Sequence, residues 1–393
     1  QIESLCKCFL PPGRLVGSVT SFENFAECPL RYYLRYGVDL KEREEFTFSP
    51  VNFGVVLHAV IREVCDEIKK NGESYYLISE EKRREMVKRS VAAITDIYQN
   101  SILKDSSRNS FMIKRMEDLA DRTIWAMGEQ LKCGDFVPFV FEHKFNMEVG
   151  DGDRKQLMSG TIDRVDICEN DTDVYVRIID YKTGKKDFNI VKTYYGIDIQ
   201  LMVYMEAAMK LVAKMRPGKN VLPAGVFYYN ISDPIVSATN ESAEEIEDKI
   251  KGELRLKGMV NSDKDIAEKM DNTEGTSLNI PVSRKADGGF DSRRSKVMNT
   301  EQFNMLGRFV DVRAVDTADR IAGGDIRRSP YKDGQFSSCD RCPYGAVCGF
   351  SVDLPGCNYR KLKKFDDEVL WNNIKEGVDE NGKKMDTGAE ERD

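Results

Sequence analysis

Asp163, Asp180 and Lys182 stand in two stretches, 157–167 and 174–184, whose alternating apolar residues read as β-strands. In a strand, residues i and i+2 share a face, so Asp180 and Lys182 project together while Tyr181 points away. A neighbouring strand carrying Asp163 would bring a second carboxylate beside them. Two carboxylates suffice for a hard divalent cation such as Mg²⁺ or Mn²⁺, which keeps several waters of its own, and the backbone carbonyl of Tyr181 is a further oxygen ligand. An ammonium next to such a site can orient a water or stabilise charge on a pentacoordinate phosphorus. The set suits metal-assisted phosphodiester hydrolysis. The same residues would also serve as an ion pair at a strand end.

Three more residues bear on this chemistry. Gln200 and Tyr204 lie four apart on the helix expected over 197–215, so they share a face and can hold a phosphate or orient Lys182. His58 is one of only two histidines and lies on an amphipathic helix expected over 53–69, beside its apolar stripe. A neutral imidazole there can ligate a metal, or can simply be hydrogen-bonded at the margin of the core.

The chain has ten cysteines: Cys6, Cys8, Cys28, Cys65, Cys133, Cys168, Cys339, Cys342, Cys348 and Cys357. They are too sparse for a disulfide scaffold in 393 residues. Cys339, Cys342 and Cys348 stand at i, i+3 and i+9 in one turn, a spacing that suits zinc or an iron–sulfur cluster. A fourth thiolate is needed. Cys28 is the first candidate, because it too precedes a proline among aromatics, and Cys357 is the local alternative. Cys65, Cys133 and Cys168 fall in apolar-periodic elements and read as core.

The elements that must position these residues follow from periodicity. A short helix is expected over 18–36, with Ser21 as N-cap, a break at Pro29 and a stop at Gly37. Helices at 53–69, 80–103 and 111–132 come next, then strands at 139–147, 157–167 and 174–181, a helix at 197–215 and a strand at 224–229. Helices near 240–257 and 300–322 flank a polar stretch, 271–297, that reads as a mobile loop. This order predicts an α/β fold with a mixed central sheet flanked by helices. Residues 1–17 read as a linker, 18–365 as one domain and 366–393 as a partly disordered tail.

Composition narrows the function. Charged residues make up 32% and no apolar run approaches a membrane span, which predicts a soluble, cytoplasmic protein with no membrane partner. The net charge of −7 argues against nucleic-acid binding through bulk charge, though not against a nuclease whose basic residues line a groove. The clusters at Lys82–Arg84, Arg293–Lys296, Arg327–Arg328 and Arg360–Lys364 read as solvated faces. The start at Gln1 reads as a segment cut from a longer protein.

In order, the stretches 18–33 around Cys28-Pro29, 53–58 ending in His58, Gly160-Thr-Ile-Asp163-Arg164, Ile179-Asp180-Tyr-Lys182-Thr-Gly184, 195–204 with Gln200 and Tyr204, 223–228, and 339–348 resemble the RecB-type nucleases of the PD-(D/E)XK superfamily. Within that group the set looks like the C-terminal nuclease domain of AddB-type helicase–nuclease proteins. The resemblance spans about residues 18–365. It implies that His58, Asp163, Asp180 and the Tyr181 carbonyl bind the catalytic Mg²⁺ or Mn²⁺, that Lys182 is the catalytic lysine, and that Gln200 and Tyr204 form a further motif. It implies a structural [4Fe-4S] cluster on Cys28, Cys339, Cys342 and Cys348, stapling the two ends of the domain together. By the same resemblance the chain would cut single-stranded DNA, on the 5′-terminated strand, during double-strand break repair, beside an AddA-like helicase–nuclease partner. Two rivals stand: a cluster-bearing DNA-binding scaffold idle in isolation, and a stand-alone RecB-type exonuclease. Ile162 stands where the superfamily pattern has proline, and no Gly-x-x-x-x-Gly-Lys-Ser/Thr loop is present, so ATP-driven unwinding is not expected of this segment.

Overall fold

The computed structural model of the protein describes residues 16–41, 50–97, 107–150, 156–237 and 240–379. Most of the expected linker, and the tail beyond 379, lie outside these residues. The main sheet has seven strands: β1 (Val16–Ser18), β2 (Val137–Val149), β3 (Gln156–Glu169), β4 (Asp173–Lys182), β5 (Asn220–Asn230), β6 (Lys257–Asn261) and β7 (Val297–Met298). Their order is β1-β3-β4-β5-β6-β7, with β2 also on β3. β2, β3 and β4 form an antiparallel meander, while β4 pairs with β5 in parallel. The sheet is therefore mixed, as expected. Val16 and Gly17, read from sequence as linker, belong to β1, which pairs with β3.

Along the chain the helices are α1 (Val19–Glu27), α2 (Pro29–Tyr32, running into a π-helical turn at Tyr33–Gly37), α3 (Pro50–Lys70), α4 (Glu80–Ile97), α5 (Ser107–Lys132), α6 (Ile190–Tyr194), α7 (Gln200–Met215), α8 (Ala243–Glu253), α9 (Lys264–Met270) and α10 (Thr300–Ala322). After α10 comes a small sheet of β8 (Tyr331–Asp333), β9 (Phe336–Ser337) and β10 (Arg360–Lys361), interrupted by α11 (Gly345–Cys348), and then α12 (Asp367–Asp379). α3, α4 and α5 cover one face of the main sheet: Val56, Leu57, Val60, Ile61, Val64 and Ile68 of α3 recur at helical spacing and are buried with Ile179, Tyr181, Phe227 and Tyr229. The other face packs on α1, α7, α10 and α12, where Leu201, Tyr204, Phe303 and Phe309 meet Val176, Ile178 and Val226.

Four expectations need correction. Ser18, not Ser21, caps α1, accepting from the Ser21 amide at 3.1 Å, because the extended β1 residue just outside the helix is the one whose side chain faces the free amides. The end of 240–257 is not helical but leads into β6. The stretch 271–297 is packed: Asp271 accepts from Ser277, Asn279 and the Thr273 amide, Arg284 donates to three backbone carbonyls, and Ile280 and Val282 are buried. Its polar composition feeds an internal network. The ordered fold also runs past 365, because α12 inserts Leu370 and Ile374 into the core beside α10.

One buried ion cluster sets the strand register. Asp166 on β3 and Arg177 on β4 are direct cross-strand partners, and Arg164 stands two residues before Asp166. Arg164 grips Asp166 in bidentate fashion at 2.7 and 2.6 Å, and Arg177 Nε donates to it at 2.8 Å. All three are essentially inaccessible to solvent. Burial opposes the charge on Asp166, but the two guanidiniums hold its carboxyl below the ordinary range. Removing the carboxylate would strand both arginines, so Asp166→Ala should destabilise the fold by about 3–5 kcal/mol in urea titration, whereas Asp118→Ala at the exposed Lys114–Asp118 pair should cost about 1 kcal/mol or less.

Candidate active site

The site lies where β3 and β4 separate. Their ladder ends at Arg164–Ile179, beyond which β4 continues against β5 alone through Asp180, Tyr181 and Lys182. The amide that β3 no longer pairs is taken by a side chain: Tyr181 N–H donates to Asp163 Oδ2 at 2.6 Å. A residue's N–H and C=O leave a strand on the same side, so the Tyr181 carbonyl also faces the gap.

A local irregularity aims Asp163 into that gap. Along β3, Met158 and Ile162 face the α7 layer, and beyond them Val165 and Ile167 do, so the inward parity changes between Ile162 and Val165. β2 makes the matching step, with Val140 on that side at one end and Phe145, Met147 and Val149 at the other. Glu142 falls within this step at φ 48°, the left-handed region, between Phe141–Arg164 and His143–Ile162 pairs. Both strands thus step together, the register survives, and Glu142 and Asp163 emerge side by side.

His58 reaches this point from α3. Its Nδ1 lies 3.5 Å from Asp163 Oδ1 and 3.7 Å from Glu142 Oε1, and its ring packs edge-on to Tyr181. Burial opposes its charge, but the two carboxylates outweigh that and push the imidazole up to about 10. Among the described residues, His58, Glu142 and Asp163 are the one group of three metal-type side chains with ligand atoms all within 4.8 Å of one another. An imidazole and two carboxylates form a mixed N/O donor set that fits Mg²⁺ or Mn²⁺, with the cation replacing the imidazolium proton as the positive charge. Sequence reasoning missed Glu142. Its only sequence signal is an acid one residue from a histidine in a strand, which is not specific.

Asp180 adjoins that group without joining it. Its Oδ2 pairs with Lys182 Nζ at 2.5 Å and its Oδ1 accepts from Gln200 Nε2 at 3.1 Å. Burial, with the nearby Asp163 charge, raises its carboxyl above the ordinary range. Gln200 uses its whole amide: Nε2 also donates to the Tyr204 hydroxyl at 2.9 Å, and Oε1 accepts from Lys182 at 3.1 Å. Burial keeps Tyr204 a neutral phenol. Its ring can lie against β3 because Gly160 has no Cβ, which would stand 2.8 Å from the Phe145 ring and 3.0 Å from the Tyr204 ring. The residues read from sequence therefore form one cluster, fed by α3 from one face of the sheet and by α7 from the other.

The four cysteines named for a cluster also meet. Cys28, Cys339, Cys342 and Cys348 line one small hollow with Leu30, Leu34, Pro330 and Phe350, and Cys357, although buried, is not among its lining residues. No three of these sulfurs lie within 4.8 Å of one another. Four convergent thiolates suit a soft-metal centre, zinc or an iron–sulfur cluster. Burial, with the neighbouring sulfurs, raises the Cys339 and Cys348 thiols. Hydrogen bonds already join the same two chain segments: Arg360 donates to the Ala26 and Glu27 carbonyls, Ser338 Oγ to Glu27 O at 3.3 Å, and Leu30 N–H to Arg327 O at 3.2 Å.

Comparison with known proteins agrees with this geometry. The PD-(D/E)XK nuclease superfamily matches residues 17–349. The chain is 34% identical over 380 residues to the AddB protein of Clostridium acetobutylicum, a component of its ATP-dependent helicase/deoxyribonuclease, covering 94% of this chain and 33% of that protein. The proteins of the same name from Lachnoclostridium phytofermentans and Caldanaerobacter subterraneus are also 34% identical, each over 96% of this chain and 33% of their own length. The chain thus spans about a third of the length of these relatives. With a match of that extent laid over a split-strand acidic site, the chain belongs to the PD-(D/E)XK nuclease superfamily.

Proposed function

We propose that this chain is a metal-dependent deoxyribonuclease module that hydrolyses phosphodiesters of single-stranded DNA, acting exonucleolytically in the AddB-like manner beside an AddA-like helicase–nuclease partner during double-strand break repair. The observation that carries this reading is the convergence, at one split in the sheet, of a His58–Glu142–Asp163 donor group with the Asp180–Lys182–Gln200 triad. The named relatives support the wider setting. Cleavage of the 5′-terminated strand rests on resemblance alone.

His58, Glu142 and Asp163 would hold the Mg²⁺ or Mn²⁺, with Asp180 and the Tyr181 carbonyl at its edge. When bound, the cation supplies Lewis acidity toward a phosphate oxygen and lowers the pKa of a water. Asp180 and Gln200 fix the Lys182 ammonium from two sides, so its charge is in place before phosphate charge develops. Tyr204 restrains the Gln200 amide, and its neutral hydroxyl can donate to a phosphate oxygen. For the second centre, Cys28, Cys339, Cys342 and Cys348 would ligate a [4Fe-4S] cluster. Its chemistry is covalent cross-linking of the first and last parts of the fold, in line with the hydrogen bonds already joining them.

End-labelled single-stranded DNA tests the main reading. Wild-type protein should cut it with Mg²⁺ and not with excess EDTA, and Lys182→Ala should cut at least about 100- to 1,000-fold more slowly; metal-independent cutting, or a Lys182→Ala variant as fast as wild type, would sink the assignment. Glu142→Ala should weaken Mn²⁺ binding in calorimetric titration by at least about tenfold, and unchanged binding would remove Glu142 from the donor group. Cys28→Ala should lose iron and melt at lower temperature than wild type; retained iron would make Cys357 the fourth ligand.

A further inference from the structure

The catalytic amide of Gln200 depends on how the first turn of α7 is held. A helix begins with amides that lack intrahelical partners, and a Ser, Thr, Asp or Asn side chain at the N-cap normally accepts from them. α7 has no such cap: Ile199 occupies the position, with φ −98° and ψ −11°, and makes no side-chain cap bond. Asp198, the nearest polar residue, is committed elsewhere, its carboxylate to the Tyr228 hydroxyl at 2.6 Å and to Lys186 at 3.0 Å. The acceptor comes instead from far away in sequence. Glu23 Oε1 accepts from both the Ile199 and Gln200 amides, each at 3.0 Å.

We infer that Glu23 is a positioning residue for phosphodiester hydrolysis, acting as a remote cap on α7 that sets the Gln200 amide against Asp180 and Lys182. The inference rests on the nuclease reading and deepens it. Gln200 is the first residue of α7, so the backbone group that Glu23 grips belongs to the residue whose side chain spans Asp180, Lys182 and Tyr204. Burial pushes Glu23 up to about 7, and its ionised form suits the positive end of a helix dipole, while either form keeps an oxygen that accepts both amides. Glu23 is itself well placed. It lies mid-way along α1, which Ser18 caps at one end and Arg360 and Ser338 hold at the other through the Ala26 and Glu27 carbonyls. Glu23 ties the start of α7 to a separate, anchored helix, and without that tie the first turn can fray and shift the Gln200 side chain.

Wild type, Glu23→Gln, Glu23→Ala, Gln200→Ala and the Glu23→Ala/Gln200→Ala double variant of the full chain are compared in Mg²⁺-dependent cleavage of single-stranded DNA, with melting temperatures recorded. Glu23→Ala should lower kcat by about 10- to 100-fold with KM nearly unchanged. Glu23→Gln, whose amide oxygen still accepts both N–H groups, should restore most of that loss. The double variant should be no slower than Gln200→Ala, since Glu23 acts through Gln200. Multiplying losses, or a Glu23→Ala variant that melts earlier yet cleaves normally per folded molecule, would overturn the inference and leave the nuclease reading intact. If wild type fails to cleave, the nuclease reading fails. Amide hydrogen exchange at Ile199 and Gln200 then decides whether the cap exists, with faster exchange in Glu23→Ala but not Glu23→Gln supporting it and equal protection in all three overturning it.

Discussion

The register between β3 and β4 is the constraint on which the site depends, and the buried contact of Asp166 with Arg164 and Arg177 enforces it. Apolar strands can slip when their side chains are interchangeable. These cannot, because a slip of one residue would bury a guanidinium with no carboxylate to meet it, at a cost of several kcal/mol. With Asp166 opposite Arg177, the count along the two strands carries Asp163 to the level of Asp180. The ladder stops just short of that level, and the Asp163 carboxylate takes over the Tyr181 amide. A structural ion cluster thus determines where two catalytic-type carboxylates face each other.

A gap in a sheet is unusual because it leaves backbone donors and acceptors without partners. Here the opening gives access from both faces. α3 sends His58 in from one layer and α7 sends Gln200 in from the other, which an unbroken sheet would prevent. The resulting electrostatics favour a cation. Asp180 is pushed up by burial and by Asp163, while His58 is held protonated by Asp163 and Glu142. These shifts express one excess of buried negative charge, answered by a proton on His58 and by the Lys182 ammonium. A divalent cation would answer it more completely, since it can be shared by all the carboxylates around the gap.

How far this was legible in the sequence depended on whether simple periodicity applied. Asp180 and Lys182 could be placed on one face from alternation, and Gln200 with Tyr204 from helical spacing, because β4 and α7 are regular there. Glu142 could not, because the paired step in β2 and β3 breaks the alternation that such reasoning uses. Glu23 could not either, since a contact spanning 176 residues leaves no local trace. Composition misled at 271–297, where Asp271, Ser277 and Asn279 hydrogen-bond one another inside a packed loop, while beyond 365 α12 docks through Leu370 and Ile374 with Trp371 and Val378 beside them. The Arg164 that follows Asp163 in sequence binds Asp166 and serves the register, so adjacency in the motif concealed two separate roles.

The two centres meet on α1. Its C-terminal end delivers Cys28, because Pro29 cannot donate a helical hydrogen bond and the chain turns extended there, at φ −165° and ψ 118°. Its middle delivers Glu23 to α7. The distance between them is about a turn and a half of helix, too short for one end to move without the other. Whatever fixes Cys28 against the turn of Cys339, Cys342 and Cys348 therefore also fixes the carboxylate that caps α7, and through it the amide beside Lys182. Any cross-link through Cys28 at the margin of the fold would then act on the geometry around Gln200 through a single short helix.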